Sequence, residues 1–448
     1  MSEPSPPIDA VVPRVVPRSD HSVSRSGIQK EALKVMYRLQ GAGFHAYMVG
    51  GSVRDLMLGR RPKDFDIATD ARPQEIRRLF RNARVIGRRF RLVHILFGEV
   101  IVEVSTFRRE PGVVDAAESA DGPANLLITS DNNFGNAAED AFRRDFTVNA
   151  LFYDIADFSI LDYVGGIDDL NRRVLRTIGD PWVRFREDPV RMLRACELAG
   201  RLGFTLEPST QAAIHDLRRE LEKASTARVT EELVALLRCG SAGAAMQWML
   251  ELGVLEVILP EAYAMVSVGE RGLGDFGRLL PTLDRKVDSG AEVSDGALLA
   301  ALLLPTLLLR RFDIEALARK ALRRTQLVAL VDEISQPFFR RFTLSKVRAQ
   351  LTVEALAGFL RLCEPHKNAA ERQHAASRHW FRDALWLFEL LAEATGEGFE
   401  ELAQWQAAAR RRPVLASGES AEAPPAADRG ALAPARRRSR RRSRRRPR

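Results

Sequence analysis

The sequence predicts an α+β protein: an N-terminal α/β domain on a mixed sheet, then an all-helical second half and a disordered basic tail. Three observations carry this. Strand and helix patterns intermix from residue 28 to about 160. From "DDLNRRVLR" (168–176) onward, helical spacing of apolar residues dominates to about residue 410. The last thirteen residues, "RRRSRRRSRRRPR", hold ten arginines and no acid. At 448 residues the chain is too long for one compact core, and two or three domains are expected.

The elements follow in order. Residues 1–27 place prolines where a signal peptide needs an apolar block, and read as a disordered leader. "IQKEALKVMYRLQGAG" (28–43) has apolar residues at helical spacing and closes on glycines. "HAYMVGG" then reads as a strand, "SVRDLMLG" as a helix and "KDFDIAT" as a strand. "PQEIRRLF" is a helix with Pro73 in its first turn. "RVIGR", "LVHILFG" and "VIVEVSTFR" follow as three strands. Residues 110–135 are acidic and mostly aperiodic, and read as a mobile surface loop. "NAAEDAFRR" resumes as a helix, and "DFTVNALFYDI" closes the sheet as its last strand. The boundaries expected are 28–160 for the α/β domain, 161–240 for a helical neck, 241–410 for a helical body and 411–448 for linker and tail.

Composition excludes several classes. Cys196, Cys239 and Cys363 are far apart, odd in number and lack metal-ligand spacing, which points to a reducing cytoplasm without disulfides or zinc. The apolar run "ALLAALLLPTLLL" (297–309) is shorter than the roughly 20 residues a membrane span needs. It is broken by Pro305 and reads as a buried helix, so no membrane association is expected. The chain's formal charge is +9, and the final thirteen residues carry ten positive charges, so residues 1–435 stand at −1. The basicity belongs to the tail, which suits sequence-blind contact with phosphates.

The chemistry concentrates in "MVGGSVRDLMLGRRPKDFDIAT" (48–69). If "KDFDI" is a strand, alternation sends Phe65 to the core and both Asp64 and Asp66 to the other face, with Cα atoms about 6.5–7 Å apart. Carboxylates at that spacing suit a pair of hard cations roughly 3.5–4 Å apart. Gly50 and Gly51, after a strand, let backbone N–H groups approach an anion. Ser52 offers a hydroxyl and Arg54 a charge. Together they imply a nucleoside triphosphate. Asp-x-Asp alone is common by chance; its order after strand, Gly-Gly and helix is what carries weight.

"GGSVRDLMLGRRPKDFDIAT" resembles the active-site motif of the class II nucleotidyltransferase superfamily, which holds tRNA CCA-adding enzymes and bacterial poly(A) polymerases. The resemblance continues through "RRDFTVNALFYD" (143–154), "DYVGGIDDL" (162–170) and "RFREDPVRMLRACELAGRLGF" (184–204), and spans roughly residues 22–260. It implies a nucleotidyltransferase catalytic domain over 28–160, base recognition in the neck and RNA binding in the body. It implies that Asp64 and Asp66 hold two Mg²⁺ ions and that Gly50, Gly51, Ser52 and Arg54 face the triphosphate. Arg144 and Asp145 would sit near the ribose and reacting end, with Asp145 the third catalytic carboxylate and Glu103 its rival. Glu187, Asp188 and Arg191 of "EDPVR" would present hydrogen-bonding groups to the incoming base. Read locally, "EDPVR" is also a helix start, with Asp188 as cap and partner of Arg191.

"VIGRRFRLVHILF" (85–97) resembles the poly(A) polymerase branch. Residues 72–91 hold eight arginines against Glu75, a track for a polyanion, in which Arg88 and Arg89 are the RNA-binding candidates. His94 reads as a structural strand residue, and His215-Asp216 as a surface pair. The implied activity is template-independent addition of AMP from ATP to RNA 3′ ends by a monomer, in RNA turnover, with RNA-degradation machinery as a candidate partner. The alternatives are a CCA-adding enzyme and a catalytically idle RNA-binding protein; the intact Asp64, Asp66 and Asp145 argue against the last.

Overall fold

The computed structural model describes residues 11–87, 91–109, 133–267, 270–290, 292–309, 324–364 and 368–410. Among these residues eight strands form one mixed sheet: β1 (Arg14–Val16), β2 (Ala46–Val49), β3 (Asp66–Thr69), β4 (Ala83–Ile86), β5 (Leu92–Phe97), β6 (Val100–Thr106), β7 (Leu151–Asp154) and β8 (Ile160–Asp162). Their order across the sheet is β1-β8-β7-β2-β3-β6-β5-β4. Every neighbouring pair is antiparallel except β3 and β6, which run parallel with Ile67 opposite Val104.

Alternation along β2 sends Met48 into one core and Tyr47 and Val49 into the other, so both faces are covered. On the first face α1 (Lys30–Gly41) buries Val35, Met36 and Leu39. Its apolar residues recur at three and four, as a helix lying on a sheet requires. α2 (Gly51–Met57) and α3 (Pro73–Leu79) complete the connections between β2, β3 and β4. The opposite face carries α4 (Ala137–Arg143), capped by Asn136, whose side chain accepts from Glu139 N–H at 2.9 Å.

Three sequence expectations give way here. The leader is not disordered throughout: Arg14–Val16 pairs with β8, Val23 is buried, and Arg14 bonds Asp168 at 2.8 Å. Pro13 and Pro17 hid this strand, yet proline is tolerated at a sheet edge. "DFTVNALFYDI" is not the last strand; it holds a 3₁₀ turn at Thr147–Asn149 and then β7, which forms a hairpin with β8. At three residues, β8 is too short to show alternation. Finally β3 begins at Asp66, because β2 leaves the sheet after Val49 and offers residues 64–65 no partner.

The remainder is helical, with a short parallel pair of β9 (Val174–Leu175) and β10 (Thr205–Leu206). α5 (Gly166–Arg172), α6 (Pro181–Glu187), α7 (Val190–Leu202), α8 (Pro208–Leu217) and α9 (Thr226–Leu237) come first. α7 packs against the helix Ala242–Glu251 so closely that a Cβ on Gly200 would lie 2.5 Å from the Ala245 nitrogen. The helix Asp295–Leu309 includes Pro305 and buries leucines all round, as a core helix does. Among the described residues no helix is long and apolar enough to cross a membrane. The linker and arginine tail lie outside the described residues.

Candidate active site

β2 ends at Val49, and the chain turns at Gly50 with φ +74° and ψ −139°, a conformation that glycine alone adopts readily. A Cβ there would lie 3.3 Å from Arg144 Nη1, so glycine also lets that guanidinium approach the turn. Gly51 opens α2. Ser52 is buried, and its hydroxyl donates to the Val49 carbonyl at 2.9 Å, which closes the turn.

Val49, where the turn begins, lines a cleft of about 350 Å³. The sheet supplies its acidic wall. Parallel pairing of β3 with β6 sets Asp66 beside Glu103, and both line the cleft. Asp66 keeps an open face, but the walls strip water from its carboxylate. Burial first, then the charges of Glu103 and Asp64, push its pKa up to about 6, while Arg144 pulls the other way. Asp64 lies exposed in the loop before β3. Glu103 also faces His94 across the β5–β6 ladder, with Nε2 at 3.3 Å from its carboxylate.

The opposite wall is basic. Arg108, Arg143 and Arg144 line it from the α/β domain, and Arg191 and Arg228 from the helical half. Arg144 is fixed on several sides. Its Nε and Nη2 donate to Asp140 Oδ2 at 3.2 and 2.9 Å, and its Nη1 to the Asn149 carbonyl at 3.5 Å. Its Cζ lies 5.2 Å from the centre of the Phe152 ring.

Arg191 is 8 % exposed. Its Nη2 donates to the Arg143 carbonyl at 3.4 Å, and among the described residues its buried Nη1 finds no acceptor. Burial lowers its pKa to about 10. Asp188 does not cap α7 as expected; Pro189 takes that position with no side-chain bond. The Asp188 carboxylate instead receives both Arg228 Nη1 and Nη2, at 2.7 and 2.9 Å, and stands 3.9 Å from Arg191 Nε. A bidentate arginine from α9 outcompetes the local cap.

Four expected side chains, Ser52 included, are engaged elsewhere, and Gly50, Gly51 and Asp64 are likewise not among the lining residues. Arg54 is buried, donating Nε to Asp55 at 2.8 Å and Nη1 to Asn149 Oδ1. It braces α2 against the 3₁₀ turn, and its charge is spent inside the protein. Glu187 pairs with Arg184 at 2.8 Å and is not among the lining residues. Asp145 is also absent from the lining residues. Its carboxylate accepts Arg194 Nε and Nη2 at 2.9 and 2.7 Å, Asn149 Nδ2 at 3.1 Å and the Phe146 N–H at 2.8 Å. Burial alone would raise its pKa, but the Arg194 charge and these bonds outweigh that and hold it at about 2. Arg88 and Arg89 lie outside the described residues.

Sequence reasoning missed Arg228, Arg194, Arg108 and Asp140. Only Asp140 carried a legible signal, an acid four residues before Arg144 on one helix. Among the described residues no three His, Cys, Asp or Glu side chains gather into a metal-enclosing group. Asp66 and Glu103, with Asp64 close by, nonetheless suit magnesium. That ion takes one or two carboxylates and completes its shell with water and substrate phosphate.

Comparison with known proteins shows the family. Residues 46–176 match the family model described as Poly A polymerase head domain, and 203–265 match that of the probable RNA and SrmB-binding site of polymerase A. The chain is 44% identical over 294 residues to Poly(A) polymerase I of Escherichia coli O6:H1, an overlap of 64% of this chain and 63% of that protein. It is 34% identical over 396 residues to Poly(A) polymerase I of Haemophilus influenzae, covering 87% and 86% of the two chains. In fold it is similar to the crystal structure of the Bacillus stearothermophilus CCA-adding enzyme in complex with CTP, with a TM-score of 0.61 and 25% identity over 85% of this chain and 81% of that one. The chain thus belongs to the poly(A) polymerase family of the class II nucleotidyltransferase superfamily.

Proposed function

We propose that this protein adds AMP from ATP to RNA 3′ ends without a template, releasing pyrophosphate. The observation that carries the proposal is the pairing, in one cleft, of crowded carboxylates (Asp66 and Glu103) with a buried Arg191 whose Nη1 has no acceptor among the described residues. The first calls for a cation and the second for a ligand atom.

In this reading Asp64, Asp66 and Glu103 would hold magnesium, which supplies charge neutralisation to the triphosphate and acidity to the attacking hydroxyl. Glu103, not Asp145, is the third carboxylate, because it shares the cleft with Asp66. The Gly50 turn admits the phosphates, and Arg144 and Arg108 orient their negative charge. The 3′-hydroxyl attacks the α-phosphorus in line, the bond to the bridging oxygen breaks, and pyrophosphate leaves. Arg191 offers donors and Asp188, steadied by Arg228, an acceptor; together they match the N1 acceptor and N6 donor of adenine. Asp145 and Arg54 hold Asn149 and the backbone beside Arg144. Arg88, Arg89 and the arginine tail guide RNA, and a cytoplasmic monomer serving RNA turnover is the form we envisage.

The likeness to a CCA-adding enzyme supports a second reading, completion of tRNA ends. Extension of an unstructured RNA by wild type and by Asp66→Ala tests the first: tails from the former and a loss of at least about 10³-fold in the latter are expected. A near-native Asp66→Ala rate contradicts it.

A further inference from the structure

Asp140 is buried on α4, lines the cleft and fixes Arg144 there. Its two oxygens do different things. Oδ1 accepts the backbone N–H of Arg108 at 3.1 Å, just beyond β6, the strand that carries Glu103. Oδ2 accepts Arg144 Nε and Nη2. One carboxylate therefore ties the backbone just beyond β6 to the Arg144 side chain.

The consequence concerns Asp66. Arg144 and Asp66 line the same cleft, and the arginine's charge is felt at the carboxylate. An unrestrained guanidinium beside a desolvated carboxylate pairs with it, since bidentate arginine–carboxylate bonds are among the strongest available. Such a pair would occupy the oxygens a cation needs. We propose that Asp140 is a positioning residue that holds Arg144 back from Asp66 and so keeps the acidic wall open to a divalent cation. The inference rests on the metal assignment above. Asp140 satisfies two of the three N–H-bearing nitrogens of Arg144, and the Asn149 carbonyl takes Nη1. With Asp140 neutral, the strongest acceptor left to that side chain is the Asp66–Glu103 pair.

The test uses Mn²⁺ alone as the probe, bound to the full chain without RNA or nucleotide and counted by electron paramagnetic resonance. Wild type should bind Mn²⁺, and Asp66→Ala should lose that site; a wild type with no such site overturns the metal assignment and the inference with it. Given the site, Asp140→Asn should bind Mn²⁺ about 10-fold more weakly, the range for residues that orient metal ligands. The deciding arm is Asp140→Asn in an Arg144→Ala background. There the penalty should vanish, because no guanidinium remains to collapse. Unchanged Mn²⁺ affinity in Asp140→Asn, even with a lowered melting temperature, overturns the inference, as does a penalty that persists without Arg144.

Discussion

The Asp145 carboxylate receives Arg194 through two nitrogens, at 2.9 and 2.7 Å, and so ties the segment after α4 to α7. Replacing Arg194 by Met strands a buried carboxylate. Breaking a buried pair costs about 3–5 kcal/mol. The Arg194 side chain is 40% exposed, so solvent screening reduces that to roughly 1–3 kcal/mol. The pH dependence has a fixed sign. Asp145 is held at about 2 in the folded protein, below its ordinary value near 4. The contribution is therefore complete above pH about 4 and is lost as pH falls through about 2. Denaturant melts of wild type and Arg194→Met should differ by a constant amount near neutrality and converge in acid. A difference that grows in acid would refute the clamp.

Gly50→Ala should cost stability and ATP binding together. A positive φ of +74° strains any other residue, by about 1–3 kcal/mol. The added Cβ would also press on Arg144 Nη1. Thermal melting and the KM for ATP should both worsen; a lower melting temperature with unchanged KM would detach the turn from the nucleotide.

Arg191→Ala should blur base choice more than it weakens RNA affinity, and Arg228→Ala should do so more mildly. Arg228 is exposed, but it holds both oxygens of Asp188 and keeps that carboxylate 3.9 Å from Arg191 Nε. Released, Asp188 should close on Arg191 and take the donors meant for the base. Incorporation from each nucleotide offered separately measures this, and an unchanged ATP preference in both variants would remove the pair from base recognition.

Deleting residues 436–448 should separate holding RNA from chemistry. The segment carries ten positive charges and no apolar anchor. Each neutralised phosphate of a single strand contributes about −0.7 to the log–log salt slope, so loss of roughly four contacts should flatten it by about 3. Affinity at low salt should fall while turnover at saturating RNA stays near wild type. Loss of saturated turnover would contradict this role.

Local sequence patterns and the structure agree where interactions are near in the chain. The strand, Gly-Gly turn, helix and Asp66 strand were all legible, because β2 and β3 are neighbours joined by one short helix. Arg144, Asp188 and Arg191, expected near the nucleotide, do line the cleft. Residues that depend on distant partners were not legible. Arg54 looked available until Asn149, 95 positions away, claimed it. Asp145 outranked Glu103 on motif position, yet Arg194, 49 positions on, draws it into a clamp while parallel pairing sets Glu103 beside Asp66. Asp188 was expected to cap its own helix, and only the fold brings Arg228 to it from 40 residues away.

The most direct test of the central claim offers the purified chain an unstructured RNA with Mg²⁺ and each of the four nucleoside triphosphates in separate reactions, beside a tRNA lacking its 3′ end. Long products from ATP on the unstructured RNA, with release of pyrophosphate and little extension from the other three, are the predicted result. Extension confined to the tRNA and stopping once its end is complete, or no extension of either RNA, would contradict polyadenylation.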